Sequence, residues 1–335
     1  MNGRGMVKGA YISALGVYLP ERVVTNSEVA AMPGLETSDE WISTRTGIRE
    51  RRVARAEQAS SDLGIEAARA CLADGSLDPG DLDLVISASL VPDMIFPATA
   101  SLVAEGVGAK NAGAFDVQAG CVGYMYGLAG AIGFVSAGMA EHVLVVGTEA
   151  VSRALDWRDR STCILFGDGA GATLVSASDN GTLFHFDLGN DGSGAPFLNL
   201  PAGGTRLPAS HETVDQRLHF LKMDGRQVYK FATRKVVESC TNVLDKAGLT
   251  AADVDLFVPH QANLRIIDYA ADRLGFDERQ VFYNLDRYGN TSNASIPLCL
   301  HDAVQGGRLK KGDTVLLVGF GAGLTWGTCL TTWEL

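Results

Sequence analysis

Short apolar runs alternate along the chain with segments in which apolar residues recur at helical spacing. Residues 62–74 have the helical pattern and precede an apolar run over 83–89, and a second helical segment precedes the apolar run 142–147. These two kinds of segment indicate helices and buried strands. The same order recurs in the second half, which predicts an α/β fold with helices packed on mostly buried sheets.

Two segments of the chain recur at one distance along it. LADGSLDPGDLDLVIS (72–87) resembles LDKAGLTAADVDLFVP (244–259), and HVLVVG (142–147) resembles TVLLVG (314–319). The offset is 172 residues in both cases, since 244 − 72 equals 314 − 142. Two matches at one offset indicate a duplicated half.

The boundary between the halves is predicted near residues 175–180, where the segment SASDNGT marks a turn between strand-like stretches. We therefore predict two domains, residues 1–177 and residues 178–335. Each domain then contains one copy of the repeated pattern.

Composition and charge narrow the class of protein. The 335 residues are 46% hydrophobic and 20% charged, as in ordinary globular proteins. No apolar run approaches the roughly 18–20 residues that span a bilayer, and the N-terminus lacks the apolar region of a secretory signal. We therefore expect a cytoplasmic protein without a membrane partner. The net charge of −11 also argues against a nucleic-acid partner.

The six cysteines form no CxxC pair and no close Cys/His cluster, which argues against a metal site and against a disulfide framework. Cys121 has a distinctive setting, because it follows an apolar segment ending near Val117 and precedes a helical stretch rich in small residues. The start of a helix stabilises a thiolate. On its own, a cysteine in this setting is more often a packing residue.

Two polar residues of the second half favour a catalytic role for Cys121. His260 follows a predicted strand in VPHQANLRI, and Asn290 follows a turn glycine in YGNTSNASIP. Either residue alone would be read as structural. A cysteine, a histidine and an asparagine, each at a strand end or a helix start, form a constellation suited to nucleophilic catalysis.

The motifs of the chain resemble those of a known family, the β-ketoacyl-acyl carrier protein synthase III group of thiolase-fold condensing enzymes. The likeness runs nearly end to end. It implies a thiolase-like fold, in which duplicated α/β halves form a layered α-β-α-β-α structure. The motifs that carry it are TSDEWISTRTGIRERR, the Cys121 segment, RSTCILFGDGAGATL, VPHQANLRI, YGNTSNASIP and GFGAGLTWG.

The resemblance implies a decarboxylating condensation through an acyl-enzyme. Cys121 would take the acyl group from an acyl-CoA starter, and His260 and Asn290 would stabilise the enolate formed from a malonyl thioester. The oxyanion hole would use the backbone N–H groups of Cys121 and of Ala322. Ala322 stands where the family more often has glycine, and its methyl group is expected to affect the local dihedral or the available space.

The resemblance also implies how CoA binds, with Trp41 and Arg45 at its adenine end and Arg160 on the other side. The glycine-rich segments 167–174 and 319–327 lack the strand–loop–helix order of a dinucleotide site, because both are flanked by strand-like residues. We therefore expect no cofactor; CoA enters only as part of the thioester substrate.

An acyl carrier protein is the expected macromolecular partner. Arg226, Lys230 and Arg234 lie at i, i+4 and i+8 on one face of a predicted helix, and Arg265 belongs to the next helical stretch. The family uses a basic patch here to dock an acidic carrier protein. Asp272 interrupts the second stripe where the family often has lysine, so malonyl-CoA stays open as the extender.

The resemblance further implies a homodimer and an acyl pocket. Phe96 matches a residue that crosses the dimer contact to close the pocket of the partner subunit, and Val151 and Phe166 are candidates for its wall. Val151 and Phe166 are equally well interpreted as core residues. The sequence does not distinguish acetyl, branched or long starters, nor primary fatty-acid synthesis from a specialised pathway.

Three alternatives stay open. The first is an acyltransferase of the same fold that passes the acyl group to a non-malonyl acceptor, and the intact His260 and Asn290 weigh against it. The second is a Cys-His-Asn hydrolase, which the internal duplication and the lack of a CGSCW-type segment oppose. The third is a catalytically silent binding subunit, which the retention of all three polar residues disfavours.

Overall fold

The computed structural model describes residues 9–335 as two main β-sheets with helices around and between them, together with two small two-stranded sheets. The strands are β1 Gly9–Tyr18, β2 Val23–Thr25, β3 Glu50–Arg52, β4 Leu84–Ala88, β5 Gly113–Val117, β6 His142–Glu149, β7 Gly169–Ser178, β8 Phe184–Asn190, β9 Leu198–Asn199, β10 Lys222–Met223, β11 Leu256–Pro259, β12 Thr314–Gly321 and β13 Thr325–Thr332. The helices are α1 Asn26–Ala30, α2 Asp39–Thr46, α3 Ser60–Asp74, α4 Thr99–Val107, α5 Gly123–Ser136, α6 Arg160–Cys163, α7 His211–Asp215, α8 Gly225–Ala247, α9 Leu264–Leu274, α10 Leu285–Tyr288 and α11 Ser295–Gln305.

The two main sheets have equivalent strand orders. The first is β1-β7-β6-β4-β5, and the second is β8-β13-β12-β11 when read from its matching edge. Strands β4 and β11 begin at Leu84 and Leu256, and strands β6 and β12 begin at His142 and Thr314, which are 172 residues apart in both cases. The repeat seen in the sequence therefore corresponds to equivalent strands, and the predicted duplicated α/β fold is confirmed.

Helices form three layers around the two sheets. Helices α5 and α11 lie between the sheets and contact both, α3 packs on the outer face of the first sheet, and α8 packs on the outer face of the second. The central core combines side chains of both halves, such as Leu128 of α5 and Leu300 of α11. This arrangement is the predicted α-β-α-β-α layering. None of the helices within residues 9–335 is long and apolar enough to cross a bilayer.

The predicted secondary structure agrees with these bounds. The predicted helix 62–74 lies within α3, the predicted strand 83–89 contains β4, and the predicted strand 142–147 lies within β6. The strands of the first sheet end at Ser178 and those of the second begin at Phe184. We retain the division into residues 1–177 and 178–335 as a proposal.

Glycines allow the central helices to pass close to the sheets at two equivalent places. A Cβ atom added to Gly147 of β6 would lie 2.2 Å from the backbone oxygen of Asn293, just before α11. A Cβ atom added to Gly319 of β12 would lie 3.0 Å from the side chain of Val122, just before α5. The first contact cannot be relieved by a side-chain rotation, because its partner is backbone.

Replacing Gly147 with alanine tests this packing. We expect Gly147→Ala to lower the free energy of unfolding by about 1–3 kcal/mol, the usual cost of overpacking. Gly133→Ala in α5 is the matched control, because a Cβ atom there meets nothing within 4 Å. Alanine in a helix should stabilise the control by about 0.5–1 kcal/mol. Urea unfolding of the three proteins measures both effects, and equal midpoints would contradict the close-packing argument.

Candidate active site

Cys121 lies in a tight turn between β5 and α5, and its side chain is buried. Gly120 has a φ of +60°, and a Cβ atom on it would lie 2.4 Å from the backbone oxygen of Ala322. A Cβ atom on Gly321 would lie 2.3 Å from the backbone nitrogen of Cys121. The turn that carries Cys121 therefore packs directly on the hairpin between β12 and β13.

Burial determines the protonation of Cys121. It raises the pKa of the thiol to about 12, although the Ser292 hydroxyl and the backbone N–H groups of Ala322 and Cys121 act in the opposite direction. Burial thus opposes ionisation of the thiol, and the stabilisation of a thiolate by the start of α5 stays a prediction. The same two backbone N–H groups are those that the sequence predicted for the oxyanion hole. Ala322 is absent from the residues with positive φ, so its methyl group imposes no left-handed strain.

His260 follows β11 and is held on three sides. Its backbone N–H donates to the oxygen of Val318 at 2.7 Å, its Nδ1 lies 2.6 Å from Ser295 Oγ, and the edge of its ring meets Phe320 with 5.5 Å between ring centroids. Burial lowers the pKa of the imidazole to about 3, so the ring is neutral. When the Ser295 hydroxyl donates to Nδ1, the proton of the ring is on Nε2, which then acts as a donor.

Asn290 is oriented through its own amide oxygen. Oδ1 accepts a hydrogen bond from the backbone N–H of Ser292 at 2.9 Å, so the Nδ2 group remains as the donor. Its backbone N–H donates to Leu165 at 2.8 Å. Gly289 turns the chain into this position with a φ of +66°, and a Cβ atom on it would lie 2.9 Å from the Leu165 oxygen.

The three predicted catalytic residues line one small cavity. Cys121, His260 and Asn290 come together around a volume of about 130 Å³, and the apolar walls of this cavity include Phe166 and Phe320. The cavity meets a larger surface cleft of about 760 Å³, with which it shares lining residues. The shared residues are Leu165, Gly225, Tyr229 and Asn263. The arrangement is a buried reaction chamber behind an outer cleft.

The outer cleft contains the three residues predicted to bind CoA. The Trp41 side chain is 39% exposed, the guanidinium carbon of Arg160 lies 4.6 Å from the centre of its ring, and that of Arg45 lies 6.0 Å away. Arg226 and Arg265 also line this cleft. An indole next to several guanidinium groups is suited to a purine and to phosphates.

The residues predicted for the acyl pocket have different locations. Phe166 lines the reaction chamber, whereas Val151 is fully buried in the core with Leu198 and lines neither this chamber nor a second cavity of about 370 Å³ beside Ala322. The assignment of Val151 to the wall of the acyl pocket stays a prediction. Phe96 lines neither cavity and is 82% exposed.

The residues predicted for carrier-protein docking are exposed. Arg226, Lys230 and Arg234 lie on α8, and Arg265 lies near the start of α9. Asp272 is also exposed on α9. The basic side chains of α8 therefore extend from the mouth of the outer cleft along the helix.

Sequence reasoning missed several residues of the site. Ser295 and Phe320 support the imidazole of His260, and Glu149, Ser292 and Asn293 lie behind Cys121. Glu149 has a visible signal, because it is a carboxylate at the end of a strand, HVLVVGTE, whose middle is apolar.

Metal-binding groups and dinucleotide-binding loops are two further kinds of site that the structure allows us to check. Within residues 9–335, no group of three or more His, Cys, Asp or Glu side chains is arranged to hold a metal ion. The glycine-rich segment 167–174 follows helix α6 and includes the start of β7, and the segment 319–327 includes the turn between β12 and β13. The predicted flanking by strands on both sides is therefore confirmed for 319–327 and wrong for 167–174, which leads from a helix into a strand.

Comparisons with known proteins identify the family. The family described as 3-oxoacyl-[acyl-carrier-protein (ACP)] synthase III matches residues 115–192, and its C-terminal counterpart matches residues 244–333. The chain is 51% identical over 327 residues to the β-ketoacyl-[acyl-carrier-protein] synthase III of Caldanaerobacter subterraneus subsp. tengcongensis, covering 97% of this chain and 98% of that protein.

Solved structures give the same result. The β-ketoacyl-[acyl-carrier-protein] synthase III of Thermus thermophilus is 48% identical with a TM-score of 0.89, and the alignment covers 97% of this chain and 99% of that one. The enzyme of Pseudomonas aeruginosa is 41% identical with a TM-score of 0.90, covering 98% of this chain and 99% of that one. The chain therefore belongs to the β-ketoacyl-[acyl-carrier-protein] synthase III family of condensing acyltransferases.

Proposed function

We propose that this acyltransferase condenses an acyl-CoA starter with a malonyl thioester in fatty-acid biosynthesis, through an acyl-Cys121 intermediate and with loss of CO2. One observation carries the proposal: a thiol, a neutral imidazole and an oriented amide line one cavity behind a cationic cleft. The thiol supplies the nucleophile, and the two nitrogen groups supply donors without a charge.

The first half-reaction loads Cys121. The sulfur attacks the carbonyl carbon of the acyl-CoA, and the bond between that carbon and the CoA sulfur breaks. The oxygen of the tetrahedral intermediate accepts from the backbone N–H groups of Cys121 and Ala322, which are the two that act on the sulfur in the resting state. Preorganised donors of this kind stabilise charge as it develops.

The second half-reaction uses His260 and Asn290. Both donate to the thioester oxygen of the malonyl substrate, so that the enolate is stabilised as CO2 leaves. The carbanion then attacks the acyl-Cys121 carbonyl and releases the β-ketoacyl product. A neutral imidazole suits this step, because a cation would bind the malonyl carboxylate in the ground state as well as the enolate.

The outer cleft supports binding of the CoA portion. Stacking on Trp41 and contacts from Arg45 and Arg160 would hold the adenine and phosphate groups, while the narrow chamber receives the acyl end. No further cofactor enters this scheme.

Two macromolecular contacts belong to the proposal. The basic residues on α8 are suited to an acidic acyl carrier protein, since this chain has a net charge of −11 and attraction must come from a local positive surface. A second copy of the chain is proposed to cover the segment that contains Ile95 and Phe96, which are 80% and 82% exposed. Phe96 would then reach the acyl pocket of the partner subunit.

Intact-protein mass measures loading directly. After incubation with a panel of acyl-CoA donors, we expect an increase equal to one acyl group, and we expect none with Cys121→Ala. Malonyl-carrier protein should then discharge the adduct. An adduct that malonyl thioesters cannot discharge would indicate transfer to another acceptor, and no adduct with any donor would contradict the acyl-enzyme.

Asn290→Ala and His260→Ala separate the two half-reactions. Each should slow decarboxylation of the malonyl thioester by about 10²–10³-fold, the usual cost of losing one such donor, while acyl-Cys121 formation changes only a few-fold. Because His260 is protonated only as the pH falls through about 3, its neutral form should cause no inflection in decarboxylation between pH 5 and pH 8. An inflection that disappears in His260→Gln would contradict the neutral donor.

The docking surface is tested with two extender substrates. Lys230→Glu combined with Arg234→Glu should raise the KM for malonyl-carrier protein about tenfold or more and leave the KM for malonyl-CoA unchanged, because neither residue lines the CoA cleft. High salt should weaken the effect. Lys310→Glu, an exposed lysine before β12, is the control. Equal changes for both substrates would contradict docking at α8.

A further inference from the structure

A buried carboxyl group lies behind the nucleophile and has no role in the mechanism above. Glu149 is the last residue of β6, and its side chain is fully buried. Its two oxygens accept hydrogen bonds from the backbone N–H of Leu90 at 2.9 and 3.0 Å, one accepts from Ser89 Oγ at 3.2 Å, and the other accepts from Asn293 Nδ2 at 2.7 Å. All of these partners are neutral.

A carboxyl group in this position is costly for the fold. A buried charge without a cation destabilises the folded state, whereas a glutamine or an apolar residue would avoid that cost. Burial accordingly raises the pKa of Glu149 to about 7, so the group exchanges a proton near neutral pH. Such a group is suited to proton transfer.

Asn293 connects Glu149 to the turn that carries the nucleophile. Its Nδ2 donates to Glu149 and also to the backbone oxygen of Gly120 at 3.0 Å, and its Oδ1 accepts from the backbone N–H of Tyr124 at 3.0 Å. These two backbone groups flank Cys121. A movement of the carboxyl group would therefore be transmitted through Asn293 to the backbone on both sides of Cys121.

Ser292 lies within reach of both titratable groups. Its hydroxyl lowers the pKa of Cys121 and that of Glu149, although its Oγ is buried and makes no hydrogen bond of regular geometry in this state. The hydroxyl therefore lies near two groups and is bound to neither, so it can rotate between them. Its backbone has a φ of +49°, which fixes where the side chain starts.

The other charged groups nearby have partners of their own. Asp168 precedes Gly169, the residue paired with Glu149 in the sheet, but its carboxylate binds Ser152 and Ala54. His260 is bound to Ser295. The titratable group that faces Glu149 is therefore the Cys121 thiol.

We propose that Glu149 accepts the proton of the Cys121 thiol through the Ser292 hydroxyl during acylation, and returns it when condensation releases the thiolate. This inference rests on the acyl-Cys121 intermediate proposed above. Ser292 passes the proton, and Glu149 holds it while the acyl group occupies the sulfur.

Atoms and charges balance over the cycle. In acylation the S–H bond of Cys121 breaks as its bond to the acyl carbon forms. Ser292 takes that proton and gives its own to Glu149, while CoA leaves as a thiolate that is protonated by water. In condensation the bond between Cys121 and the acyl carbon breaks, and its electron pair stays on the sulfur. The sulfur then takes a proton from Ser292, which is replenished by Glu149.

A purely electrostatic role of Glu149 predicts the opposite result. The negative charge of Glu149 raises the pKa of Cys121, so its removal alone would make the thiol more reactive. Proton acceptance predicts that removal makes the thiol less reactive at neutral pH. The two roles therefore differ in the sign of the effect.

The experiment measures alkylation of Cys121 by iodoacetamide and single-turnover acylation by acyl-CoA from pH 5.5 to pH 9. Glu149 must be ionised to accept a proton, so the wild-type rates should rise with an inflection near pH 7. Glu149→Gln and Ser292→Ala should lose that inflection and react about 100-fold more slowly at pH 7.5. Ser89→Ala, which removes a different hydroxyl from the same carboxyl group, should stay within a few-fold of wild type.

Several outcomes would overturn the inference. Glu149→Gln reacting as fast as wild type or faster would show an electrostatic role, and an unchanged profile for Ser292→Ala would exclude the hydroxyl from the path. If Glu149→Gln fails to fold in an unfolding assay, Ser292→Ala decides the question. Alkylation needs no acyl-CoA, so a normal alkylation profile without acylation would instead count against the proposed function.

Discussion

The site depends on the contact between two turns that belong to different halves of the chain. The turn before α5 carries Cys121, and the hairpin between β12 and β13 packs against it so closely that a side chain at Gly120 or Gly321 would reach backbone of the other turn. This contact fixes the N–H groups of Cys121 and Ala322 relative to each other. A change in the packing of these two turns would therefore displace the oxyanion donors relative to each other.

Burial acts on three titratable groups of the site, and its direction depends on the kind of group. Burial raises the pKa values of Cys121 and Glu149 and lowers that of His260. The reacting bond is thus surrounded by dipoles and by one exchangeable proton rather than by fixed charges. Dipoles that are already oriented cost no reorganisation when an enolate forms, which suits a decarboxylation better than an ion pair would.

The sequence predicted the framework, but it did not show which side chains of the site are buried. The 172-residue offset located equivalent strands because spacing is a property of the pattern itself, and the motifs led to Cys121, His260 and Asn290. The sequence left two readings of Val151 open, because an apolar residue after a strand has the same pattern whether it faces a cavity or the core. The burial of Cys121 was not visible in the sequence, because the turn that carries it packs against a hairpin about 200 residues further along the chain.

The duplicated framework has diverged at the two positions that matter for the nucleophile. Adding the offset of 172 to residue 121 gives 293, so Asn293 occupies in the second half the place that Cys121 has in the first. Adding it to residue 149 gives 321, so Glu149 is matched by a glycine. The glycine in the second half lets its hairpin approach the backbone nitrogen of Cys121, whereas the glutamate in the first half lies beside the amide of Asn293. At these positions each half therefore supplies to the site a group that the other half lacks.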